Sequence, residues 1–191
     1  MDQRKHDEKG FKIGFNRNRI IFILALSAIA FAVLYYQFFV PKPITSVQYG
    51  NYILNFRADL REASKVPVYP AEDALYREMM HGLVQNVTIA FKPTNGDDAL
   101  YAVEAFEITY KLRLGYTVRD FNVGFNSMAV NSYENLPGKI QNPIIAIVHP
   151  VYANETSVRV DGHVVTIKGK TPGELDLAVS KFLMASLGIE V

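Results

Sequence analysis

The sequence predicts one N-terminal transmembrane helix followed by a single α/β or α+β domain, a mixed sheet of five or six strands with about three helices. Three observations carry this expectation. Residues 20–40 form an uncharged apolar run, residues 51–191 alternate strand-like and helix-like segments, and the last forty residues join a hairpin signal to a well-marked helix.

The run from Ile20 to Val40, IIFILALSAIAFAVLYYQFFV, has only Ser27 and Gln37 as clearly polar interruptions. As a helix it would extend roughly 31 Å, about the thickness of a bilayer's hydrocarbon core. Its flanks set an orientation. Residues 1–19 carry Arg4, Lys5, Lys9, Lys12, Arg17 and Arg19, whereas the ten residues after Val40 carry only Lys42. Basic residues stay on the cytoplasmic side, so the tail is expected inside and the C-terminal domain outside the cell membrane. Tyr35, Tyr36, Phe38 and Phe39 suit an interfacial aromatic belt at the outer end. Pro41 and Pro43 then stop the helix and begin a stalk over 41–50. Ala28-Ile29-Ala30 has the small-x-small form of a signal-peptide cleavage site, but the apolar run continues ten residues beyond it, which fits an uncleaved signal-anchor.

Charge and cysteine count narrow the function classes. Removing the tail's six basic and three acidic residues from totals of 20 and 19 leaves a net charge of −2. Such a domain has no general electrostatic attraction for nucleic acid. No cysteine is present, so an exported domain must stand on packing rather than on disulfides. Asn86-Val87-Thr88 and Asn154-Glu155-Thr156 match the glycosylation acceptor pattern, making Asn86 and Asn154 candidate modification sites of a glycoprotein; Asn154 falls in a polar loop between apolar strands.

Along the domain, 51–56 reads as a strand and KVPVYP as a short extended piece. Residues 70–83 read as a helix with Pro70 in its first turn, Tyr76, Met80 and Leu83 at helical spacing, and Gly82 as the stop. A strand is expected over 84–91. TNGDD supplies a helix start in which Asp97 and Asp98 complement the dipole. The helix that follows has Ala99, Ala102, Val103, Phe106 and Tyr110 on one face, predicted to be its core face, with Gly115 closing it. Residues 116–141 read as one irregular strand inside a long loop. PIIAIV, 143–148, is a continuous apolar run, expected as a central strand covered on both faces.

In SVRV-DG-HVVTIKG, Asp161-Gly162 separates two β-rich runs as a two-residue hairpin turn. Thr171-Pro172-Gly173-Glu174 is a capping box, with Glu174 expected to reach back to the Thr171 amide; Leu175, Ala178, Val179, Phe182 and Leu183 form a core stripe, and Gly188 is the stop. This ending, VVTIKGKTPGELDLAVSKFLMASLGI, resembles the exported domains of uncharacterised archaeal single-pass membrane proteins. The resemblance covers about a quarter of the chain and implies a fold and a location; it carries no catalytic residues.

Chemical motifs are sparse. Gly169-Lys170-Thr171 is like part of a phosphate loop, but the pattern needs glycine where Val164 stands, so the backbone cradle is missing and Thr171 is better explained as a helix cap. His6, His81, His149 and His163 are scattered without metal-ligand spacing, and no cofactor is indicated. His149, closing the central strand, is the one ligand-proximal candidate, because ligands gather at strand ends of α/β sheets; the competing role is structural. No serine sits in a Gly-x-Ser-x-Gly elbow, and no nucleophile, base and orienting acid assemble. Two function classes follow. One is a membrane-anchored domain that binds or assembles with cell-envelope proteins; the other is an anchored envelope enzyme with its site near the end of strand 143–148.

Overall fold

The computed structural model describes residues 44–190 apart from 95 and 97. The basic tail, the apolar run 20–40, residues 41–43 and Asp97 therefore lie outside the described residues. Within them, no helix is long and apolar enough to cross a membrane.

The domain is mixed α/β, with a six-stranded mixed sheet and four helices. A separate hairpin comes first: β1 (Thr45–Tyr49) pairs antiparallel with β2 (Tyr52–Phe56), the chain reversing at Gly50, whose φ of 56° suits a residue without a Cβ. Alternation along β2 buries Leu54 and Phe56 while Ile53 and Asn55 face outward. Residues 45–49, expected as part of a stalk, are thus a strand of the folded unit. A helix not foreseen in the sequence follows, α1 (Leu60–Ser64), capped by Asp59, whose carboxylate accepts from the Arg61 amide at 2.8 Å.

After β3 (Val68–Tyr69), helix α2 spans Glu72–Met79, shorter than the expected 70–83. Ala71 is its N-cap, so Pro70 stands outside, and Met80 ends it before Gly82. Leu75 and Met79 face the core beside Met80, while Tyr76 and Leu83 are exposed. Tyr76 instead supports Arg119, whose Nη1 donates to its hydroxyl at 2.7 Å.

The main sheet has the order β3-β7-β8-β6-β4-β5. Strands β4 (Asn86–Phe91), β5 (Gly124–Ala129) and β6 (Ile144–Val148) run parallel, with β4 between the other two. β8 (Val164–Lys168) is parallel to β6, while β7 (Ser157–Asp161) is antiparallel to β8 and parallel to β3. All five residues of β6 are buried, as the continuous apolar run requires. The β7–β8 pairing places Asp161 opposite Val164, so the turn is Gly162-His163, one residue later than the Asp-Gly signal suggests; Gly162 has φ 54°. Residues 124–129, expected as irregular, form a regular edge strand.

Helix α4 (Pro172–Leu187) packs on all three other helices and on β7 and β8. Leu175, Ala178, Val179, Phe182 and Leu183 are all buried, and Gly188, with φ 70°, ends the helix. The Glu174 amide donates to the Thr171 hydroxyl at 3.2 Å. The Glu174 carboxylate reaches the Lys170 amide and the Thr156 hydroxyl rather than the Thr171 amide.

Helix α3 (Ala99–Val118) differs most from expectation. Its buried residues are Tyr101, Glu104, Ile108, Lys111, Leu112, Gly115 and Tyr116. The predicted core face points outward: Val103, Phe106 and Tyr110 are 39, 68 and 48 % exposed. Gly115 does not close the helix. It lies inside, where an added Cβ would stand 2.4 Å from Leu187 Cδ2, so glycine there lets α3 approach α4.

Candidate functional site

The sheet topology marks one crevice. From β4 the chain leaves through α3 to β5 on one side; from β6 it leaves toward β7 and β8 on the other. The carboxyl ends of β4 and β6 therefore border a topological switch point, the place where open α/β sheets hold ligands. A cavity of about 360 Å³ lies between α3 and these strands, lined mainly by Ile89, Phe91, Tyr101, Ala105, Ser127 and Ile147. A shallower groove continues between α3 and β5, with Phe106 and Phe125 on its walls. The cavity's volume falls in the range of small-molecule pockets.

Its polar surroundings are committed to structure. The Tyr133 hydroxyl donates to the Ile147 carbonyl at 2.7 Å and accepts from the Lys92 amide at 2.9 Å. The Tyr101 hydroxyl donates to the Lys92 carbonyl at 2.7 Å and lies 3.3 Å from that of Tyr133. The pair ties the end of β4 to the end of β6. Burial pushes both phenols above their ordinary pKa, so they stay protonated and serve as donors rather than bases. Asp98, at the α3 N-cap, accepts from the Thr94 amide at 2.8 Å and the Thr94 hydroxyl at 3.1 Å.

His149 directly follows β6, as the sequence places it, and is buried. Its Nδ1 accepts from the Val151 amide at 3.3 Å, capping the 3₁₀ turn Pro150–Tyr152, and its ring packs 5.3 Å from that of Tyr101. It does not line the cavity. Among the described residues no group of three or more His, Cys, Asp or Glu is arranged to hold a metal ion.

The other singled-out residues lie apart. Asn154 is exposed in the loop before β7, and Thr156 of its tripeptide donates to Glu174 at 2.5 Å. Asn86 is exposed at the start of β4, while Thr88 is buried and donates to Asn142 at 3.2 Å. At Gly169-Lys170-Thr171 the Glu174 carboxylate accepts from the Lys170 amide, so the helix start already holds an anion of its own. Gly169 is required by packing, since a Cβ there would stand 2.1 Å from the Leu175 amide nitrogen.

Two features depart from what the sequence leads one to expect. The first is a buried charge cluster joining the end of β2, α3 and α4. Arg57 Nη2 lies 3.6 Å from both Glu104 and Asp176, and Lys111 pairs with Glu107 while its ammonium sits 4.4 Å over the Phe56 ring. Glu104 is fully buried, and neither of its carboxylate oxygens has a hydrogen-bond partner among the described residues. Burial first, then the neighbouring Asp176, pushes its pKa up to about 8; burial also raises Asp176. The second feature is the outward face of α3, where the rings of Phe106 and Tyr110 stack 5.9 Å apart at 7° on the exposed surface.

No family model, no curated protein and no solved structure matches the chain.

Proposed function

We propose that this is a single-pass membrane protein that presents an extracytoplasmic α/β domain for binding or assembly, with the outer face of α3 as its contact surface. The observation that carries the reading is the exposed stripe Val103, Phe106 and Tyr110. A helix that buries Glu104 and Lys111 and turns stacked aromatics outward has inverted the usual pattern, and exposed apolar stripes mark interaction sites. The span at 20–40 and the basic tail supply the anchor. A photoreactive phenylalanine analogue at position 106 in the full chain, irradiated in native membranes, tests this. A defined protein adduct that Tyr110→Asp abolishes supports the reading; no adduct overturns it.

The cavity at the switch point favours a second reading, an anchored envelope enzyme whose site lies at the end of β6. Its weak point is chemistry. His149 is turned to a backbone amide, and the tyrosines are held protonated. Saturable binding of small apolar ligands, lost in Ala105→Leu, would support this reading over the first.

A further inference from the structure

The outer face of α3 is complementary to itself. Take Phe106 as a centre: Val103 lies three positions before it and Tyr110 four after it. If a second α3 packs antiparallel about a two-fold axis at Phe106, the two Phe106 rings meet. Each Tyr110 then falls on Val103 of the other copy. A C₂ contact requires this reciprocity, because the same patch must serve both sides.

Charge follows the same operation. Arg113 lies seven positions after the centre and Ala99 seven before it, with Asp98 next to Ala99. The antiparallel pairing therefore lays the stem of each Arg113 across Ala99 and brings its guanidinium to Asp98 of the other copy. At about 100° per residue, Arg113 and Asp98 are displaced to the same side of the stripe. In a two-fold antiparallel pair, like sides meet, so the two charges are in reach of one another. Both residues are exposed. Asp98 holds Thr94 through Oδ1 alone, which leaves Oδ2 for the guanidinium, and the Arg113 side chain has no hydrogen-bond or ion-pair partner among the described residues. Ala99 and Ala102, also exposed, are small enough to admit the partner's side chains. Glu107, one position from the axis, would set like charges against each other, but Lys111 already pairs with it. The two helix dipoles run antiparallel, which is favourable.

We propose that α3 forms a homodimer contact: a second copy of this chain packs its own α3 antiparallel across Phe106, with reciprocal Tyr110–Val103 contacts and Arg113–Asp98 pairs. This rests on the reading that the outer face of α3 is the binding surface, and it names the partner.

The chain has no cysteine, so introduced thiols report on this geometry without background. In native membranes carrying the full chain, mild oxidation of Phe106→Cys should give a disulfide-linked dimer. Val103→Cys and Tyr110→Cys should link when co-expressed and should not link when expressed singly. Self-linking of Val103→Cys alone would mean a parallel pair and overturn the arrangement. Arg113→Asp should abolish the Phe106→Cys dimer while Arg113→Lys retains it; an unchanged yield in Arg113→Asp overturns the charge pairing. These positions are solvent-exposed, and circular dichroism of the purified variants checks that the fold persists. The photoreactive group at position 106 separates the two levels of failure. An adduct with a different protein and none with a second copy overturns the homodimer but leaves the binding surface standing; no adduct of either kind overturns both.

Discussion

Glu104 and Lys111 lie on the buried face of α3, an arrangement opposite to the usual amphipathic helix. Counting apolar residues at helical spacing selects Ala99, Ala102, Val103, Phe106 and Tyr110, because a face bearing a glutamate and a lysine reads as solvated. What makes the charged face the buried one is Arg57, Phe56 and Asp176, which come from β2 and α4 and have no sequence proximity to α3. The carboxyl of Glu104 also gives a prediction with a definite sign. Its pKa is pushed from 4.5 in the unfolded reference up to about 8. Between those values the folded protein binds more protons than the unfolded chain, so stability falls as pH rises through that window and levels off above it. Asp176, also raised, acts in the same direction, while Arg57 and Lys111 oppose it and Glu107 adds to it. Glu104→Gln should therefore match the parent below pH 4.5, exceed it in denaturant midpoint above pH 8, and flatten most of the slope between. A variant that loses stability at the high end would show that the Arg57 pairing outweighs the cost of burying the charge.

At the level of elements, what was legible was what is encoded locally. The hairpin β7–β8, the start and stop of α4 and the buried strand β6 each depend on residues within a few positions of one another, and all three are present. The edges that failed depend on distant partners: Gly115 continues α3 because Leu187 packs against it, and Tyr76 faces out because Arg119 occupies its hydroxyl. Two glycines separate these kinds of constraint experimentally. At Gly169 an added methyl meets backbone, the amide nitrogen of Leu175, whereas at Gly115 it meets only side-chain ends, those of Leu187 and Met80. Gly115→Ala should cost about 1–3 kcal/mol from repacking, partly offset by about 1 kcal/mol of gained helix propensity. Gly169→Ala should be the more damaging of the two, displacing the first turn of α4; equilibrium unfolding of both variants decides, and equal losses would contradict the packing difference. Thr171→Ala should remove the hydroxyl that accepts from the Glu174 amide and cost about 1 kcal/mol. A near-parent unfolding midpoint would mean that Glu174, through Lys170 and Thr156, holds the helix start unaided.

For the whole molecule, the candidate site was only half readable. The end of β6 could be located from its apolar run and the histidine that follows, but the cavity exists because β4 and β6 are neighbours whose onward connections part, and strand order is a property of the closed sheet. The exposed stripe of α3, the proposed contact surface, is visible in the sequence as an apolar face, but its spacing points to the core. The proposed orientation across a membrane rests on other grounds, the charge flanking residues 20–40. Six Lys or Arg precede that run within nineteen residues, and only Lys42 follows it within ten. Moving six cations across a bilayer is far costlier than moving one, so the tail should stay inside and the α/β domain should lie outside. With one epitope before residue 20 and another after the domain, protease added to intact cells should remove the C-terminal epitope and spare the N-terminal one; permeabilised cells should lose both. Retention of the C-terminal epitope on intact cells, with its loss after permeabilisation, would place the domain inside and move its partners, a second copy included, to the cytoplasmic face.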